Sequence, residues 1–480
     1  MATFAEYDRY DALGLARLVN AGEVTPAEVL EAAVERVEAR NPAVNAVVSR
    51  LYDRARAAIA AGLPRGPFTG VPYLLKDLGA QYAGTVTTWG SAFFRDAVAD
   101  HDSEIVARMR RAGLVIFGKT NTSEMGLSTS VEPKLFGPTR NPWNPERSAG
   151  GSSGGAGAAV AAGMLPAAHA TDGGGSIRIP ASACGLFGLK PTRARTPSGP
   201  DVGESWNGAG SAHAITRTVR DSAALLDATS GPDVGDPYWA PPQQRPFLAE
   251  VGADPGRLRI GFTDRPWNGH AVDPECVAAV ASAARLCEEL GHRVEEARPE
   301  WDEPARAAAA KVIVGAHTLA HLQLRGEALG RAVRPDDVEP GAWAVAEIGR
   351  KNGAADYARA IRVVHGAGRA VGRFFTQWDA LLTPTMCSPP HPLGVLSLSA
   401  RDTDAYRDAL FGSIAFTAPF NGSGNPAMSV PLHWTRDGLP VGVQFVGPFG
   451  GEGVLFRLAA QLERARPWAQ KRPPLPRSSS

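Results

Sequence analysis

Cysteine is scarce. Only Cys184, Cys276, Cys287 and Cys387 occur in 480 residues, and no CxxC pair exists. Neither a zinc ribbon nor a redox couple is therefore indicated. Cys276 and Cys287 fall in one expected helix, where eleven residues of rise separate them by roughly 16 Å, too far for a disulfide. All four are expected as reduced thiols in or near the core of a cytoplasmic protein. Charge of one sign is lacking too: 50 Lys and Arg stand against 49 Asp and Glu, leaving +1. Such a chain has no electrostatic reason to seek nucleic acid or an anionic membrane surface. No apolar run approaches the ~18 residues of a membrane-spanning helix. The opening segment, MATFAEYDRYDALGLARLVNAGEV, mixes acids with apolar positions and has no basic stretch, so it is not expected to be a secretory leader.

What is present is a large apolar fraction, 44%, together with 53 Gly and 39 Pro. That supports an extensive core with many ordered loops, and rules out wholesale disorder. Thr25-Pro26-Ala27-Glu28 is a capping box with Pro at the first helical position, so a helix is expected over 26–39. GVPYLL at 70–75 is a short apolar run ending at Lys76-Asp77. Residues 103–112 read as a helix stopped by Gly113, and 114–117 as a buried strand. Residues 126–158 show little periodicity and much Gly, Pro, Ser and Asn, the pattern of a long functional loop. Helices are expected at 156–163 and 219–229. A Pro-rich connection fills 231–257. Strand 258–262, a helix from Asp273-Pro274 to Gly291 and a strand from Val294 form a β-α-β unit, which implies parallel strands. Residues 304–375 read as mostly helical, followed by strands at 379–383 and 439–446. The expectation is an α/β fold with one large, mixed, mostly parallel twisted sheet covered by helices on both faces. It forms a single domain over 1–480, with its core at about 60–231 and the helical region at about 304–375 inserted before the C-terminal strands.

Four segments could carry chemistry. Residues 150–157, GGSSGGAG, lack the Lys-Ser/Thr of a phosphate loop and the preceding strand of a dinucleotide loop or a nucleophile elbow. The second is TDGGGSIRIP at 171–180. Three successive glycines can gather backbone N–H groups into a nest for an oxyanion, with Ser176 placed to attack the carbonyl; such turns are also commonly just turns. The third is Lys76, at the end of an apolar strand, where lost solvation lowers its pKa and lets a neutral amine act as a base. Lysines in such places also snorkel to water. The fourth is His317 and His321, spaced i, i+4. Thr318 stands where a zinc protease has Glu, so the pair is expected to face solvent or line a pocket. No metal or cofactor is expected.

Together these segments resemble the amidase signature family of serine hydrolases. GGSSGGAGAAVAAG at 150–163 and TDGGGSIRIPASACGLFGLKPT at 171–192 are similar to its serine blocks, with 24 positions from Ser152 to Ser176, and GVPYLLKD at 70–77 to its lysine segment. GKTNTSEMG at 118–126, NPWNP at 141–145, TRTVRDSAALLDATSG at 216–231 and NPAMSVPL…DGLPVGVQ at 425–444 match further blocks, and the likeness is weakest between about 232 and 375. Within the family, GVPYLLKDL and RNPWNP look most like the cyclic-oligoamide hydrolases and related amide- and urethane-cleaving enzymes.

The resemblance implies Ser176 as nucleophile, Ser152 as the bridging serine with a cis peptide, and Lys76 as ultimate base. It also implies an oxyanion hole from the backbone N–H groups of Gly173, Gly174, Gly175 and Ser176, with Asp172 and Arg178 orienting the turn behind them. The family often carries an apolar residue or Thr where Gly173 stands, so this turn is expected to be more mobile. The activity implied is cytoplasmic hydrolysis of small, mostly neutral amides, namely anilides, oligoamides or carbamates, through an acyl-enzyme. The alternative is the amide-hydrolysing subunit of a tRNA-dependent amidotransferase. The partner expected is a small-molecule amide or carbamate, with neither nucleic acid nor membrane; a homodimer is left open. Pocket walls are expected from 127–137, 203–214, 313–321 and 384–391, plus Asn421 and Gly422.

Overall fold

The computed structural model describes residues 4–474. The first three residues of the opening segment discussed above lie outside it. In chain order the strands are β1 Val47–Arg50, β2 Pro72–Lys76, β3 Val115–Thr120, β4 Arg140–Asn141, β5 Asn144–Ser148, β6 Ala167–Asp172, β7 Phe187–Lys190, β8 Ser211–Thr216, β9 Arg259–Phe262, β10 Arg293–Glu296, β11 Ala380–Pro384, β12 Ala427–Trp434 and β13 Pro440–Val446. Eight of them form one sheet in the order β10-β9-β11-β13-β12-β7-β8-β6; β1, β3 and β2 form a three-stranded sheet. β2 lies against β6, so the two sheets abut there.

The α/β class and the large mixed sheet are as expected. The prevalence of parallel pairing is not. Within the eight-stranded sheet only β9–β10 and β9–β11 are parallel; β11–β13, β13–β12, β12–β7, β7–β8 and β8–β6 are antiparallel. The β-α-β unit at 259–296 does give parallel neighbours. The short connection from β12 to β13 forces that pair antiparallel, and the other four antiparallel pairs bring together strands separated by longer stretches of chain.

Local signals mostly act where the sequence places them. Thr25 accepts from Glu28 N at 3.2 Å and Glu28 Oε2 accepts from Thr25 N at 2.8 Å, opening the helix Pro26–Val44. It runs past the expected end, accommodating Pro42 in its last turns, and the left-handed stop comes at Asn45, φ 50°. Residues 126–158 are less structureless than expected. They contain the β4–β5 hairpin, closed by Asn141 Oδ1 accepting from Trp143 N at 3.0 Å, and the start of the helix Gly154–Ala161. The helical region resolves into Glu303–Ala328, Pro340–Lys351 and Ala354–Phe374. Gly315 and Gly349 let the first two touch backbone to backbone.

The sheet's two faces follow the period of two. On β7, Phe187 and Leu189 enter a core with the helices Pro274–Glu289 and Glu452–Ala465. Gly188 faces the opposite way, where a Cβ would come 2.6 Å from that of Ala181 in the helix Arg178–Cys184. That short helix is thus clamped to the sheet just after the glycine-rich turn. All four cysteines are free and buried. No helix among the described residues is long and apolar enough to cross a membrane.

Candidate active site

Lys76 is the last residue of β2, and every residue of that strand is buried. Its ammonium cannot snorkel. Nζ donates to Ser152 Oγ at 2.7 Å and to Thr171 Oγ1 at 2.9 Å. Burial pulls the Lys76 pKa down to about 7, against the opposing pull of the Asp172 carboxylate. Its backbone N–H donates to His169 Nδ1 at 3.2 Å, across the junction of β2 and β6. Burial and the neighbouring Lys76 lower the His169 pKa to about 3, so this imidazole is neutral and its proton resides on Nε2. Lys76 is therefore fixed at both backbone and side chain.

Ser152 follows a cis peptide from Gly151. The surrounding glycines have a steric reason: a Cβ on Gly151 would come 2.7 Å from Ser130 N, and one on Gly155 2.5 Å from Asn121 N and O. The segment is wedged between backbones and is not a flexible linker. Its neighbour Ser153 donates to Thr171 O at 3.2 Å and accepts from Thr171 N at 3.3 Å, tying the loop to β6.

β6 ends at Asp172, and the turn Gly173–Ser176 is built around that carboxylate. Asp172 Oδ1 accepts from Gly175 N at 2.7 Å, and Oδ2 from Ile177 N at 3.1 Å. Gly175 adopts φ 137°, a region open to glycine. Among the described residues, the N–H groups of Gly173, Gly174 and Ser176 meet no protein acceptor. Of the four N–H groups expected to form an oxyanion hole, that of Gly175 is thus not free, because it donates to Asp172. Ser176 is half-buried, and its hydroxyl is likewise without a protein partner.

Arg178 supports the turn from behind. Its Nε and Nη2 bind the two oxygens of Asp172 at 2.9 and 2.8 Å, Nη1 donates to Gln444 Oε1 at 2.7 Å and to Thr417 O at 3.0 Å, and Nη2 reaches Asn421 Oδ1 at 2.6 Å. Both members of the ion pair are fully buried. Burial alone would raise the Asp172 pKa, but the Arg178 guanidinium wins and holds the carboxyl below its ordinary range. An Arg178→Met substitution would strand that carboxylate without its counter-charge. It is expected to cost about 3–5 kcal/mol, measured by urea unfolding; a loss below about 1 kcal/mol would contradict this picture.

Two pocket expectations need correction. Asn421 is buried and is a strut, donating to Asp172 O at 3.0 Å and to Ala209 O at 3.0 Å. Residues 313–321, expected as a pocket wall formed by a loop, lie inside the helix Glu303–Ala328. There the two histidines point to different partners. His317 Nε2 meets the Tyr357 hydroxyl at 2.9 Å, and the His321 ring lies 4.8 Å from that of Trp89. His169, Thr171, Thr417 and Gln444 carry no sequence signal of their own; only the neighbourhood of Thr171 to the glycine-rich turn pointed toward it.

Residues 28–456 match the family model described as Amidase. The chain is 44% identical over 478 residues to the 6-aminohexanoate-cyclic-dimer hydrolase of Paenarthrobacter ureafaciens, covering 97% of this chain and 96% of that protein. It is 36% identical over 468 residues to an acylamidase of Rhodococcus erythropolis, covering 96% of each. A solved structure of a 6-aminohexanoate cyclic dimer hydrolase superposes with a TM-score of 0.93 at 41% identity, over 97% of this chain and 99% of that one. With the buried lysine, the paired serine loops and this full-length likeness in place, the chain belongs to the amidase signature family of hydrolases, which act on C–N bonds.

Proposed function

We propose that this amidase hydrolyses small, mostly neutral amides, including oligoamides, anilides or carbamates, with Ser176, Ser152 and Lys76 as its catalytic residues. The observation that carries this reading is the 2.7 Å hydrogen bond from buried Lys76 Nζ to Ser152 Oγ, beside a turn with three unspent N–H groups. Neutral Lys76 draws a proton through Ser152 while Ser176 Oγ attacks the amide carbonyl. The N–H groups of Gly173, Gly174 and Ser176 receive the tetrahedral oxyanion, each good donor being worth about 2.7–4 kcal/mol. Ser152 then protonates the leaving nitrogen. This step is needed because an amide anion is a very poor leaving group. Water, activated by the same relay, cleaves the acyl-ester and restores the serine.

The relatives' names support the substrate class, one being a cyclic-oligoamide hydrolase and another an acylamidase. The test is a panel of a cyclic oligoamide, an anilide, a carbamate and an ester, presented to the purified single chain without ATP. Turnover of the amides is the expected result. Activity that required a second subunit and ATP would instead favour the amidotransferase reading.

The pH profile follows from Lys76. Protonated Lys76 cannot accept a proton, so activity is lost below its pKa and present above it. With that pKa lowered to about 7, kcat/KM for an amide is expected to rise about tenfold per pH unit up to the neutral region and to hold level in mildly alkaline buffer. Neutral His169 and ionised Asp172 do not titrate in this window. A profile falling between about pH 6 and pH 8, with the protein folded, would contradict the assignment.

A further inference from the structure

The turn that presents the three free N–H groups has no side chain at Gly173, yet the space beside it is filled. A Cβ on Gly173 would come 2.7 Å from Cε3 and 2.8 Å from Cζ3 of Trp206. The indole lies directly on the backbone of the turn. The ring also packs against the buried cluster that Ala309 and Ile313 of the helix Glu303–Ala328 form with Ala360 and Val364 of the helix Ala354–Phe374.

The conformation that brings the ring there is unusual. Trp206, Asn207 and Gly208 have φ of 51°, 53° and 71° in succession. A bulky residue in the left-handed region is strained and persists only where its surroundings hold it. The holding contacts are visible. Arg193 Nε donates to Gly208 O at 2.9 Å, and Gly210 N to Ser205 O at 3.1 Å. Asn421 Nδ2 reaches Ala209 O at 3.0 Å with the same amide nitrogen that donates to Asp172 Oδ1 at 2.9 Å. The Trp206 loop and the glycine-rich turn are therefore tied to one strut.

We propose that Trp206 is a positioning residue for the Gly173–Ser176 turn, its ring standing in for the missing side chain at Gly173 and fixing the free N–H groups toward the reacting carbonyl. The inference rests on the catalytic reading above. The ring also fills the apolar space between that turn and the two helices. The mobility expected of a triple-glycine turn is opposed by the ring.

The test uses the full chain with Trp206→Ala, Trp206→Phe, Gly173→Ala and the double variant Trp206→Ala/Gly173→Ala. The substrates are an amide and an ester sharing one acyl group. Trp206→Ala is expected to lower kcat about 10²-fold, the cost of a small misplacement of the reacting geometry. The loss should be equal on amide and ester, because the turn acts on the carbonyl and not on the leaving group, and KM should move less than kcat. Trp206→Phe, which keeps a ring, should retain most of the activity. Gly173→Ala should lower both kcat and the melting temperature in the wild-type background, where its methyl meets the ring, and lower both by clearly less in Trp206→Ala. A purely structural role predicts a lower melting temperature with kcat per folded molecule unchanged, which would overturn the inference. So would equal Gly173→Ala losses in both backgrounds. Ser176→Ala serves as control. Turnover by that variant would overturn the catalytic reading and this one with it, whereas an inactive Ser176→Ala beside a fully active Trp206→Ala would overturn the positioning role alone.

Discussion

Replacing Ser176 with alanine is expected to abolish amide hydrolysis and leave the protein folded. The hydroxyl follows the glycine-rich turn, is half-buried, and makes no hydrogen bond to protein among the described residues. Its removal therefore orphans no buried partner, and stability should stay within about 0.5 kcal/mol of wild type. The catalytic effect is of another order. In the proposed mechanism no acyl-ester forms without Ser176, and loss of a nucleophilic serine in a comparable relay costs about 10⁶-fold in kcat. What survives comes from the N–H groups and substrate binding alone. Steady-state turnover of an anilide, together with mass measurement of an acyl adduct in wild type and variant, reads both halves. Wild-type-like turnover with contaminating hydrolase excluded would remove Ser176 from the mechanism.

In the proposed mechanism Lys76 and Ser152 act on the proton, while Ser176 and the turn act on the carbonyl. An ester expels a better leaving group and needs less protonation than an amide. Lys76→Ala and Ser152→Ala are therefore expected to lose far more activity on an amide than on an ester with the same acyl group. Ser176→Ala should lose both alike. Because Lys76 Nζ and Ser152 Oγ are joined at 2.7 Å, the two are expected to work as a unit, and the double variant should be far less impaired than the product of the single losses. If the lysine were only a buried strand-end charge, its removal would slow amide and ester equally. Equal losses in Lys76→Ala would therefore exclude the relay. The kcat/KM ratios of the two single variants and the double variant decide the matter.

Three short segments together already carried the resemblance to the amidase family. The lysine ending an apolar strand, the glycine-serine run at 150–157 and the triple glycine before Ser176 are local in sequence, and so are the capping signals at Thr25 and Asp273. The capping signals depend on a few adjacent residues, and the three segments are short continuous strings, which is why they can be read without the fold. Charge balance and the scarcity of cysteine likewise followed from composition. The tertiary structure decided what depends on distant neighbours. Strand direction is set by which strands come to lie side by side, so the antiparallel majority was hidden from the β-α-β pattern at 259–296. Gly175 loses its role as a donor because Asp172 folds back beneath it. Asn421 becomes a strut and not a wall because Arg178 reaches it across 243 positions. His169 and Trp206 meet the site only through packing between separate elements. The lowered pKa of Lys76 is of the same kind: the sequence supplied the amine, but only complete burial of the strand end removes the water that would otherwise keep it charged.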